Sequence, residues 1–152
     1  MPEAGSERVE SLIAAADRCA SHLITYAEMR AAFAKAQRMG RMNQATKDSA
    51  VASFESDWRT CQVMDVTDLL IRRAGDLADR FGLRGYDSVH LAAAEAISLL
   101  LMPEPLAFIC FEERLNDAAR ALGMVTLEWQ DRRFAYRTRG SHKQKQQRSL
   151  CL

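Results

Sequence analysis

Three carboxylates stand out in this sequence, Glu28, Asp87 and Glu112, each near the start of a segment with apolar helical patterning. Acids gathered at one edge of a layered fold repel each other unless a cation lies between them. An oxygen-only donor set suits Mg²⁺ or Mn²⁺, and such an ion neutralises an incoming phosphate as well as the acids. Each residue also has a purely structural account. Thr25-Tyr26-Ala27-Glu28 has capping-box spacing, with Glu28 reaching back to the backbone of Thr25. Asp87, after Arg84-Gly85-Tyr86, stands where a helix N-cap belongs, and Glu112 and Glu113 open a helix where negative charge complements the macrodipole. Taken singly, these accounts outweigh the chemical one; a shared address at the carboxyl ends of the strands raises the weight of the chemical one. His90, one turn after Asp87, reads as a satisfied core histidine, and no second His stands at metal-ligand spacing. G-x-S-x-G, P-loop and G-x-G-x-x-G patterns are absent, which excludes serine hydrolases, P-loop NTPases and dinucleotide enzymes.

The elements that would position these acids follow from periodicity. Val9, Leu12, Ile13 and Ala16 mark an amphipathic helix over Ser6–Ala16, preceded by no strand. Arg18–His22 is a weak strand. Thr25–Arg38 is a helix ended by Gly40, and Val51, Phe54, Trp58 and Cys61 mark another. Gln62–Val66 reads as a strand, and Thr67-Asp68 caps a helix whose face is Leu70, Ala74, Leu77, Ala78 and Phe81. Asp87–Leu101 is apolar on most faces, so it predicts a helix buried on several sides. Leu106–Phe111 is an unbroken apolar run of strand length, as in a parallel strand covered on both faces. Leu115, Ala118, Ala119 and Leu122 form a last helix, and Met124–Leu127 a last strand. Alternating strands and helices predict an α/β fold with a mostly parallel sheet, and ligands in open sheets of this kind bind at the carboxyl ends of the strands.

With 152 residues, 48% hydrophobic and 27% charged, the chain is expected to form one globular domain. Its basic residues are uneven. Arg137, Arg139, Lys143, Lys145 and Arg148 fall in a tail without acids, expected to be disordered, and acids outnumber bases in the remainder. A strongly basic nucleic-acid-binding body is therefore excluded. Cys19, Cys61, Cys110 and Cys151 are scattered without a C-x-x-C pair, which fits a reducing compartment and no zinc site. An acidic N-terminus lacking an apolar core is no signal peptide, and no apolar run approaches the ~20 residues that span a bilayer. A cytoplasmic protein is expected.

Three blocks, SHLITYAEMRAAFAKAQRMGRM, VTDLLIRRAGDLADRFGLRGYDSVHLAAA and AFICFEERLNDAARALGM, occur in an order and spacing that resemble the PIN domain, in particular the VapC-type toxins of bacterial toxin–antitoxin pairs. The resemblance runs from about Glu3 to Trp129. It implies a three-layer PIN-like fold over residues 1–134, with a mostly parallel central sheet flanked by helices and a basic tail over 135–152. It also implies a metal-dependent endoribonuclease using Mg²⁺ or Mn²⁺, an RNA substrate, a VapB-type antitoxin bound over the active site, and a homodimer. By position, Glu28 matches the acid of the family's helix after its second strand. Asp87 matches the Asp of an R-G-Y-D-(A/S)-x-H-L-A block, and Glu112 falls where members carry Asp. Those three are the implied catalytic and metal-holding residues, with Asp117 as an outer-sphere contributor.

Two departures from the family pattern bear on activity. Glu112 replaces Asp, and Cys110 stands where a hydroxyl residue is common. The longer arm displaces the carboxylate from a metal that needs near-ideal octahedral geometry. In addition, nothing here matches the family's first central strand and its essential Asp. The comparison implies a natural product longer by roughly 15 to 25 residues, a strand plus a helical turn or two, and little or no nuclease activity for the chain as written. Two other readings stay open: a non-catalytic remnant that binds antitoxin, using the helices near Val51–Trp58 and Leu70–Phe81, and a DNA-directed nuclease of the same fold.

Overall fold

A computed structural model of the chain describes residues 6–126. Helix α1 (Ser6–Ala15) is the first described element, followed by β1 (Ala20–His22), α2 (Leu23–Arg38), α3 (Gln44–Thr60), β2 (Gln62–Met64) and α4 (Asp68–Phe81). Then come α5 (Gly85–Leu101), β3 (Ala107–Phe108), α6 (Glu113–Ala121) and β4 (Val125–Thr126). Residues 1–5, Leu127 and the basic tail lie outside the described residues.

The core is organised around α5. Ser88, Val89, Leu91, Ala92, Ala93, Ala94 and Ile97 are all buried, so this helix is covered on several sides, as its continuous apolar sequence predicts. Against it α4 sets Leu70, Ala74 and Leu77, and α6 sets Leu115, Ala118 and Ala119. Local signals fix the ends of α4. The Thr67 hydroxyl accepts the Leu70 N–H at 3.2 Å, and Gly82 closes the helix at φ 63°, a left-handed conformation that side-chain-bearing residues disfavour. Arg73 clamps α4 to α5 by donating two hydrogen bonds of 2.6 Å to the carboxylate of Glu95.

All strand pairing in the described residues is parallel, as expected. It forms two separate pairs, however, and no continuous sheet. In one pair Ala20, Ser21 and His22 of β1 lie beside Gln62, Val63 and Met64 of β2; in the other, Ala107 and Phe108 of β3 lie beside Val125 and Thr126 of β4. Each strand therefore has an edge without a ladder among the described residues. The strands are shorter than the apolar runs suggest. Beyond Phe108 the Cys110 carbonyl accepts from the Asn116 side chain at 2.9 Å, so this backbone bonds to α6 and leaves the ladder.

Helices α2 and α3 bury no residue fully. They meet through Tyr26, Phe33, Phe54 and Trp58, whose ring centroids lie 5.5–6.1 Å apart. The Tyr26 hydroxyl donates to Glu55 at 2.5 Å, and Arg30 donates to both at 3.1 and 3.2 Å. Helix α3 starts seven residues before Val51, because Asn43 caps it by accepting the Thr46 N–H at 2.8 Å. The face of α4 that was a candidate partner surface is its core face; Leu69 and Ile71 are its exposed apolar residues. Leu77 is wholly buried and Leu69 is 78% exposed. Leu77→Ala is therefore expected to cost about 2–5 kcal/mol in urea denaturation, and Leu69→Ala to stay within about 0.5 kcal/mol of the parent.

Candidate functional site

Glu28 lies in α2 and Asp87 in the first turn of α5. Both line one cavity of about 740 Å³, together with Ile24, Ile71, Ala74, Arg84 and Tyr86 among others. Two of the three acids therefore share one cavity, lined by residues of α2, α4 and the start of α5. Neither uses the local role that its sequence suggested. Helix α2 begins at Leu23 with His22 as N-cap, so Thr25 is already inside the helix and accepts a hydrogen bond from the Ser21 hydroxyl at 2.8 Å. The capping box therefore does not form. Likewise Arg84, and not Asp87, is the N-cap of α5. Asp87 sits three residues further in, where its charge complements the helix N-terminus without closing it.

Glu28 is instead held from a distance. His90 Nε2 donates to Glu28 Oε2 at 2.9 Å, and the other ring nitrogen, Nδ1, lies 2.7 Å from Nε2 of His22. Residues from α2, α5 and β1 thus form one hydrogen-bonded row. His22 is wholly buried and its Nδ1 has no partner in the described residues. Sequence reasoning took His90 for a core residue and passed over His22. The spacing of His90 three residues after Asp87 puts both on one helix face, and was the available signal; for His22 the only hint was a polar ring next to Leu23-Ile24.

Glu112 behaves as its structural account requires. It is the N-cap of α6, with Oε2 accepting the Leu115 N–H at 2.6 Å. It is not among the residues lining the cavity, though its charge and that of Asp87 both act on the Cys110 thiol. Burial pushes the Cys110 thiol above its ordinary value, and the charges of both Glu112 and Asp87 push it further, while the Glu112 N–H donates to the sulfur at 3.2 Å and opposes the rise. Asp117 is exposed and pairs with Arg120 on its own helix. Among the described residues no three His, Cys, Asp or Glu side chains converge as a metal would require. The donor chemistry of Glu28 and Asp87 fits a hard divalent ion; the set of residues brought together is incomplete.

Residues 2–121 match the family described as the PIN domain. The chain is 32% identical over 122 residues to "Ribonuclease VapC45" of Mycobacterium tuberculosis strain CDC 1551 / Oshkosh, covering 80% of this chain and 81% of that protein. Identity and coverage are the same for "Ribonuclease VapC49" of strain ATCC 25618 / H37Rv. The chain belongs to the PIN domain family. That membership accounts for the three-layer α/β fold and for the parallel pairing of every described strand. Among the described residues of this PIN domain, no helix is long and apolar enough to cross a membrane.

Burial first, and His90 second, push the His22 imidazole down from 6.5 to about 4. A group that is harder to protonate when folded takes up protons on unfolding. Its contribution to stability is complete above pH 6.5 and disappears as the pH falls toward 4. Urea midpoints are therefore expected to drop across that window, and His22→Phe to flatten part of the drop. A variant with the parent's full pH slope would show that His22 is not the group responsible.

Proposed function

We propose that this PIN domain is a metal-dependent endoribonuclease of the VapC kind, working in the cytoplasm and restrained by a VapB-type antitoxin, with a second copy completing a homodimer. The observation that carries the reading is the convergence of Glu28, in the second turn of α2, and Asp87, in the first turn of α5, on one cavity. The two relatives, both named ribonucleases, support it. Glu28 and Asp87 would hold Mg²⁺ or Mn²⁺, with Glu112 contributing only after leaving its bond to the Leu115 N–H. When bound, such an ion activates water and screens charge on phosphate oxygens. The protein's own residues supply orientation. The N-terminal turn of α5 brings positive backbone character toward an anionic group, and Arg84 adds a cation at the cavity rim.

One observation favours a second reading, a PIN domain that binds its antitoxin without cleaving RNA. Glu112 is engaged in a helix cap, so the carboxylates that converge are two. Cleavage of a labelled single-stranded RNA with Mn²⁺ or Mg²⁺ separates the readings. Low but metal-dependent cleavage is expected, reduced by at least about 100-fold in Asp87→Asn, the scale on which a ligand-set change acts. Glu112→Gln keeps an oxygen for the cap, so it is expected to lower cleavage while leaving the thermal midpoint near the parent's. Antitoxin binding with no metal-dependent cleavage would contradict the leading reading and select the second.

A further inference from the structure

In the row of His22, His90 and Glu28, His90 lies 68 positions from His22 and 62 from Glu28, so no local helix or turn requires it. Its proton arrangement is constrained. An ionised carboxylate only accepts, so His90 Nε2 must carry the hydrogen that reaches Glu28 Oε2. With His90 neutral, its Nδ1 is then a lone pair, and the hydrogen in the 2.7 Å contact belongs to His22 Nε2. That leaves His22 Nδ1 as a buried acceptor without a partner among the described residues. A buried polar atom in that state costs stability, and an apolar ring of similar size would avoid the cost. The arrangement makes physical sense when the row orients something. Its exposed end is Glu28, whose Oε2 is engaged while Oε1 accepts no hydrogen bond among the described residues.

We infer that His90 and His22 are positioning residues for Glu28, a two-imidazole relay that fixes its carboxylate so that Oε1 alone is offered to the cavity shared with Asp87. The use of that oxygen for a metal rests on the proposed nuclease reading; the relay itself does not. Carboxylates that hold ions are oriented by such outer partners, and losing one typically weakens metal binding by about 10–100-fold. Here the outer partner is itself held by a second ring, closed off from water, that fixes both its tautomer and its tilt: the rings meet at 60° with centroids 4.3 Å apart.

The test has two arms. Long-range ¹H–¹⁵N correlation spectra of the metal-free 152-residue protein are expected to show both imidazoles fixed as Nε2–H tautomers. Glu28→Ala is expected to release His90 and, through it, to move the nitrogen shifts of His22, whose ring nitrogens make no hydrogen bond to Glu28 among the described residues. Freely exchanging tautomers in the parent would overturn the relay. In the second arm Mn²⁺ binding is followed by electron paramagnetic resonance. His90→Leu is expected to weaken it by about 10–100-fold, and His90→Gln, whose amide still donates to Glu28, to restore most of the loss. Equal Mn²⁺ affinity in His90→Leu and the parent would overturn the positioning role. A parent that binds no Mn²⁺ would fail the nuclease reading and the metal part of this inference, while the tautomer spectra still decide whether the relay holds Glu28.

Discussion

The rest of the structure depends on the burial of α5. Its run Leu91-Ala92-Ala93-Ala94 is 0–1% exposed, and the small alanine side chains let α4, α6 and β1 approach the helix axis closely on different sides. Close packing of this kind tolerates little change in volume, so the helix has one position and one rotation. That rotation decides where its N-terminal turns point. Asp87 reaches the cavity and His90 reaches Glu28 because the apolar residues beyond them have no freedom to turn. The chemistry at the start of α5 is therefore a consequence of alanine packing in its middle.

The divided strand pairing has the opposite character. With β1–β2 and β3–β4 paired only within themselves, no ladder of backbone hydrogen bonds among the described residues connects the part of the chain that carries Glu28 to the part that carries Glu112. The connection runs through α5 instead, which contacts both β1 and α6. This is consistent with the uneven state of the candidate site. Glu28 and Asp87, joined through α5 and the histidine row, meet in a cavity; Glu112 does not line it and is turned to its own helix, capping it through the Leu115 N–H.

Much of this was legible in the sequence. The buried helix after Asp87, the cap at Thr67 and the glycine stops at Gly40 and Gly82 depend on short-range patterns, and all are present. The capping box at Thr25–Glu28 failed because α2 starts two residues earlier, at Leu23, and Glu28 instead bonds His90 across 62 positions, which periodicity does not register. The strand over Leu106–Phe111 shortened for a similar reason, since the Asn116 side chain takes the Cys110 carbonyl. The cysteines looked scattered along the chain. The β1–β2 register, continued back by one residue, nevertheless sets Cys19 beside Cys61, and Cys19 adds to the rise that burial causes in the Cys61 thiol. The family resemblance supplied what periodicity lacked, by naming which acids belong together, and two of its three lie on one cavity.

The proposed cation-binding site at Glu28 and Asp87 is open to a direct test. Titrating Mn²⁺ into ¹⁵N-labelled protein and mapping paramagnetic broadening of the amide signals tests it most directly. Broadening centred on Glu28, Asp87 and His90 at substoichiometric metal, and absent in Asp87→Asn, is the expected result. Broadening spread over exposed acids such as Asp76 and Asp79, and unchanged in that variant, would contradict it.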